Sequence, residues 1–409
     1  MAQDLALTGS VADDRAEYER RLVAVRAAMS RDGFDAIVAV DSGDWLPPTG
    51  NARYLSNFNI GNMVNAVSGV AVVVPLHGEP TLIVPQGPLG CFAEWARATS
   101  WIARIQSSPT VGGPLGQAFD GDVVIALKEA GLERSRIGVC GAFPGSSDLA
   151  FHLPRADIAP AIEVDGGGTP RDLMERVRRV KSPWEIERLR QAQRCTDVAI
   201  TAFMRGVEPG RRHAACAAEA DRASIEAGAE QALTIMNCGT DPWMWWHIQG
   251  ERRFSANNVV SLETNARVGG YVAQIARSGV LGRENNSQRA LREVANDSLR
   301  AMVERVRPGA TGGDLWRAGE TVVRNAGLRP WGRLGHGMGL SMDEGFGIVP
   351  NDDYALEEDV CLEIHASVWD PETHETYLLG EQYLVKNGGA EGLSDSLPPH
   401  GLAPSAGVV

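Results

Sequence analysis

The sequence predicts two domains of mixed α/β and α+β type, the second assembled from two similar αβ lobes, and three observations carry that expectation. At 409 residues the chain exceeds what one ordinary core accommodates. Helical and strand-like patterns alternate up to about residue 165, where the composition collapses to Val164-Asp165-Gly166-Gly167-Gly168-Thr169, a natural linker. Beyond it, a frame of helix, Pro-Gly turn, second helix and Ala-Gly stop occurs twice. We therefore expect one domain over 1–165 and another over 170–395.

The elements follow in order. A helical pattern from Tyr18 to Met29 leads into a strand over Phe34–Val40. After a Gly/Pro loop around Trp45–Asn51 come short apolar runs at Gly69–Val74 and Pro80–Val84, each of strand length. In the second domain, an amphipathic helix over Ile186–Arg205 precedes Pro209-Gly210, and the next helix closes at Ala227-Gly228. The matching copy runs over Gln288–Arg305, Pro308-Gly309 and Ala326-Gly327. The two Gly-to-Gly distances are the same, eighteen residues. Strand-like material follows each copy, Leu233–Met236 and Val259–Leu262 after the first, Val360–Glu363 and Tyr383–Val385 after the second. Two such lobes set back to back leave a cleft, the usual place for a site.

Composition removes several function classes. With 44% hydrophobic and 22% charged residues and no long uninterrupted apolar stretch, no membrane span is expected. The acidic start lacks the basic and apolar regions of a secretory signal, and the six scattered cysteines form no CxxC pair, so a cytoplasmic protein with free thiols is expected. A formal charge of −13 argues against nucleic acid.

Val180-Lys181-Ser182-Pro183-Trp184-Glu185-Ile186-Glu187 and Gly335-His336-Gly337-Met338-Gly339 carry a resemblance to the creatinase, prolidase and aminopeptidase P family. It covers roughly 180–395 well, and the N-terminal domain in pattern through Asn51-Ala52-Arg53-Tyr54-Leu55. The resemblance implies a creatinase-type N-terminal α/β domain followed by a pita-bread domain. It also implies where metal ligands fall in relatives. Gly270-Tyr271 fixes the register that places two aspartate positions on Glu263 and Gln274. The first histidine is His336. Asp343, followed by Glu344, stands where relatives place a second histidine, and the remaining carboxylates are Glu363 and Glu381. The spacing from Glu381 to the downstream glycines is one residue short, a slip that turns a strand side chain to the other face unless a bulge absorbs it. A neutral amide at Gln274 is a poor ligand for divalent ions, so no metal and no other cofactor is expected.

On that basis the expectation is a metal-independent, creatinase-like hydrolase cleaving a carbon–nitrogen bond of a small non-peptidic molecule. His247 and His336 would be its acid/base and polarising groups, with Glu263 or Glu363 balancing charge. His247 follows Trp243-Met244-Trp245-Trp246, where a histidine packed among aromatics is the bland alternative, but its distance from the Val259–Leu262 strand suits the family's catalytic histidine. Of tryptophans that are more often core than site, Trp245 or Trp246 could wall a pocket. Further substrate contacts are expected from Tyr271, Gln274, Arg277, Asp343, Glu344, His365, Glu381, Arg53 and Trp45. The last two follow from the resemblance, which implies a homodimer sharing its active site. A lyase or decarboxylase, a metal-dependent Xaa-Pro peptidase-like enzyme and a non-catalytic binding module remain open alternatives.

Overall fold

The computed structural model describes residues 11–41, 50–58, 70–85, 90–108, 115–141, 161–164, 173–240 and 251–394. Trp45, Trp245, Trp246, His247 and most of the glycine linker lie outside them. The chain divides into two compact units, Met1–Arg178 and Arg179–Val409.

The first unit is built on a six-stranded sheet among the described residues, ordered β4-β3-β2-β1-β5-β6. Its strands are β1 (Ala36–Asp41), β2 (Val70–Pro75), β3 (Thr81–Pro85), β4 (Arg104–Ser108), β5 (Arg136–Cys140) and β6 (Ala161–Val164). β1 lies inside the sheet, antiparallel to β2 and parallel to β5. Both faces of β1 and β2 are buried, which is why they read as unbroken aliphatic runs and not as alternation. Val123, Val124, Ala126 and Leu127 of a helix over Leu115–Glu129 pack on Ala36, Val38, Val40, Ala71 and Val73. Asp41 ends β1, and its carboxylate accepts from the amides of Ala52 and Arg53, capping the short helix that carries Arg53.

The second unit shows the twofold frame that the sequence predicts. Long helices over Pro183–Gly206 and Asn286–Val303 open the two lobes, and shorter ones over His213–Glu226 and Gly312–Asn325 follow. Ser182 with Glu185, Asn285 with Gln288 and Thr311 with Asp314 form reciprocal capping boxes, so these starts are written locally. The strands are β7 (Gln231–Cys238), β8 (Val259–Val268), β9 (Tyr271–Val280), β10 (Arg329–Pro330), β11 (Gly335–Gly337), β12 (Cys361–Trp369), β13 (Thr376–Lys386) and β14 (Gly389–Gly392). They form one sheet ordered β10-β12-β13-β9-β8-β7, with β11 on β12 and β14 on β13. No described helix is long and apolar enough to cross a membrane.

The helices cover one face of this sheet. Leu291, Leu299, Met302 and Val323 pack on Leu362, Ile364, Ala366, Tyr377, Leu379 and Tyr383. In the other lobe Ile200, Phe203 and Cys216 pack on Met236, Leu262 and Ile275. Because strand side chains alternate, the residues between these apolar ones face the other way. That face, helix-free among the described residues, carries the polar cluster described next.

Candidate active site

One cross-strand row runs Ile235–Glu263–Ala276–Gly380–His365, each residue paired with its neighbour across β7, β8, β9, β13 and β12. Beside it, Glu363 pairs with Gln382 on one side and His336 on the other. Register therefore puts Glu263, Gln274, His336, Glu363 and His365 on one face, with small residues Ala276 and Gly380 between the two lobes' polar groups. The close approach of β11 to β12 depends on Gly335, whose φ is +138° and where an added Cβ would strike the Glu363 carbonyl. That approach holds the His336 ring against the sheet.

The side chains form a connected network. The Gln274 amide donates to Glu263 Oε1 at 2.5 Å, which turns its Oε1 to His365 Nε2 at 3.3 Å. His365 Nε2 also lies 3.6 Å from Glu363 Oε1, and its ring meets that of His336 edge-on at 5.3 Å between centroids. His336 Nδ1 lies 3.2 Å from the Gly337 carbonyl and 3.5 Å from Asp343 Oδ1. Asp343 is held in turn by Arg333. His336 Nε2 and both Glu363 carboxyl oxygens are buried without a hydrogen-bond partner, a costly state unless a proton, water or ligand satisfies them.

Burial sets the charge states. It raises Glu363 well above the usual carboxylate range, with Glu381 and Glu263 adding repulsion, and it raises Glu263 against the lowering effect of Asn265 and Gln274. Burial lowers His336 to about 4 although Asp343 opposes the shift, and lowers His365 well below its ordinary value. At neutral pH both imidazoles are uncharged, and Glu363 is biased toward its protonated form.

Several expected site residues face elsewhere. Nine consecutive pairs join Cys361–Trp369 to Thr376–Leu384 without a bulge, so Glu381 shares a face with Ile364 and turns to the helices. There it takes a 2.5 Å bond from Arg277 Nη2, whose Nη1 is bound to the Gly380 carbonyl. Tyr271 lies on that same face, its hydroxyl donating to Glu185 at 2.9 Å and its ring edge-on to Trp184. Glu344 is buried in a 2.7 Å ion pair with Lys181. The structure thus corrects the expectation that Tyr271, Arg277, Glu344 and Glu381 reach the cluster. Arg53 belongs to the first unit.

Other contributors were not anticipated from sequence. Arg333 holds Asp343, and Asn265 Nδ2 reaches Glu263 at 3.3 Å. Ile235, Leu378 and Trp331 pack around Ala276 as an apolar wall on the helix-free face. A lone arginine in a glycine-rich loop carries no motif, and an apolar wall is visible only once register is known.

The donor set does not fit two metal ions. Gln274 points its NH2 group, not an anion, at Glu263, Asp343 is neutralised by Arg333, and Glu381 is turned away. Among the described residues no group of three or more His, Cys, Asp or Glu is placed to hold a metal ion.

Residues 187–390 match the model of metallopeptidase family M24, which assigns this domain to that family. Over 368 residues, 89% of this chain and 91% of the relative, it is 26% identical to the probable dipeptidase PepE of Mycobacterium tuberculosis. The solved prolidase of Pyrococcus furiosus superposes with a TM-score of 0.73 at 20% identity, over 91% of this chain and all of that one. PepE of Mycobacterium ulcerans gives 0.75 at 23% identity, over 95% and 98%. The creatinase-type and pita-bread architecture is thereby borne out.

Proposed function

We propose that this protein hydrolyses the amide bond of short peptides. The creatinase-like reading, with a non-peptidic substrate, is overturned by the near full-length similarity to proteins named as dipeptidases. The family is one of peptidases, so the chain is a hydrolase of carbon–nitrogen bonds.

The observation that carries the reading is the facing pair of His336 and Glu363, whose Nε2 and carboxyl oxygens are buried and unpartnered on the helix-free face. With Nδ1 held toward Gly337 and Asp343, Nε2 presents a lone pair that takes a proton from water as it attacks the carbonyl. Protonated Glu363 supplies a proton to the departing nitrogen. Glu263, fixed by Gln274 and Asn265, offers an anion to a peptide's amino terminus, and Ile235, Leu378 and Trp331 offer an apolar surface to a side chain. A short substrate suits a centre that is otherwise closed.

The same reading includes a cytoplasmic homodimer that shares its site, supported by the six free thiols and by the family resemblance. Arg53, Trp45 and the His247 segment are its candidate contributors. The test is mass-spectrometric release of amino acids from a dipeptide library including Xaa-Pro members, with and without added manganese, cobalt or zinc. Cleavage of a subset, lost in Glu363→Gln, is the expected result. An uncleaved library under every condition refutes the proposal.

A further inference from the structure

We propose that this chain has rebuilt its family's metal centre as a metal-free polar row, Glu263–Gln274–His365–Glu363, in which an amide and an imidazole stand between two carboxyls at the family's ligand positions. Three residues on one sheet face support this together. Gln274 is placed to donate to Glu263 and accept from His365, so one neutral side chain serves both neighbours. His365 stands two residues beyond Glu363 on the same strand and reaches both Gln274 and Glu363.

Gly380 is the third. It pairs with His365 and Ala276, and a Cβ added there would overlap Glu363 Oε1 and lie 2.9 Å from the Ala276 Cβ. The Glu363 carboxyl therefore fills the space that a side chain at position 380 would claim. The adjacent carboxylate, Glu381, is committed to Arg277 on the opposite face.

Charge leads to the same conclusion. Two dications repel each other strongly and need several converging anions. This face offers Glu263 and Glu363, while Asp343 is already paired with Arg333, itself a cation close to the histidines. A hydrogen-bonded amide and imidazole, the imidazole 3.6 Å from Glu363 Oε1, occupy the space between the same carboxyls without bringing that charge. The residues at 274, 365 and 380 thus act as a set.

The test uses the full-length protein and needs no substrate, so its failure and that of the peptidase reading are separately visible. Manganese, cobalt and zinc are titrated in calorimetry and thermal unfolding beside elemental analysis. The wild type should take up no stoichiometric metal and keep its unfolding temperature, because a ligand at roughly 100 times its Kd would raise it clearly. A chain carrying Gln274→Asp, His365→Gly and Gly380→Glu, which removes the imidazole and adds two carboxylates to this face, should bind at least one of these ions roughly 100-fold tighter than the wild type. If it fails to fold, His365→Ala serves instead: it should unfold at a lower temperature, since Gln274 Oε1 loses its donor. One or more metals per wild-type chain, or a His365→Ala protein as stable as the wild type, overturns the proposal.

Discussion

Replacing Lys181 by methionine isolates the contact that anchors the loop behind His336. Lys181 Nζ and Glu344 Oε2 are 2.7 Å apart, with side-chain exposures of 2% and 4%. Glu344 also accepts from the Ser341 amide at 3.0 Å, and its own amide donates to the Gly337 carbonyl. Methionine fills much of the lysine's volume but leaves the carboxylate buried without its cation. Breaking such a pair from one side costs about 3–5 kcal/mol, whereas neutralising both partners costs far less. For a unit of this size each kcal/mol lowers Tm by roughly 2–4 °C, so Lys181→Met should lose roughly 6–20 °C. Lys181→Met with Glu344→Gln should recover most of it, because the amide still accepts from Ser341. Scanning calorimetry on the three proteins reads this directly. A single variant within about 1 kcal/mol of the wild type, or a double variant as weak as the single, refutes the argument that an orphaned buried charge is what costs.

Glu363→Gln and His336→Ala should each lower kcat/KM on a cleaved dipeptide by roughly 100-fold or more while leaving the circular dichroism unchanged; near-normal turnover removes that residue from the mechanism. Gly319→Ala should cost about 1–3 kcal/mol, because the new Cβ would lie 2.7 Å from Met302 Sδ and 3.1 Å from Ser298 Oγ, where two helices meet. This is checked by thermal unfolding, and a neutral result means that Met302 yields. Asp41 gives a pH prediction. Burial raises its carboxyl from 3.8 to about 6 against the two backbone amides and Arg178. The folded state then holds the proton more tightly than the unfolded one. Its stabilising contribution is full below pH 3.8 and is lost as pH rises through 6, about 3 kcal/mol in all. Urea titrations of Asp41→Asn and wild type from pH 4 to 7 should diverge accordingly, and parallel curves reject the shift.

How much of this was legible in the sequence depends on which physical rule wrote each feature. Helix starts are local, and Ser182-Pro183 with Glu185 or Thr311 with Asp314 announce themselves in four residues. The buried strands of the first unit are equally plain as aliphatic runs. His336 stood out through its flanking glycines, and Glu363 because a carboxylate on an apolar strand demands a reason. Facing is different, since it is decided by pairing between segments far apart. Nothing near Arg277 or Glu381 says that they meet on the helix side, and Tyr271 reads as a site tyrosine until its hydroxyl is seen on Glu185. Function followed the same divide. Substitutions at ligand positions are visible in the sequence, but the identity of the scissile bond is not written in them.

The bulge-free ladder between β12 and β13 also makes this centre sensitive to chain length as well as to side-chain chemistry. One residue inserted between Glu381 and Gln382, with the pairing of Gln382–Leu384 retained, would carry Glu381 into the row with His365. The same step would rotate Tyr377 and Leu379 out of the helix-covered core, where both are fully buried. Single-residue insertions and deletions in β13 are thus coupled to the core, and the strand tolerates them only with a compensating bulge on the Thr376 side. Engineering that seeks a new carboxylate at position 380 has to proceed by substitution, because the hydrophobic layer behind it locks the count.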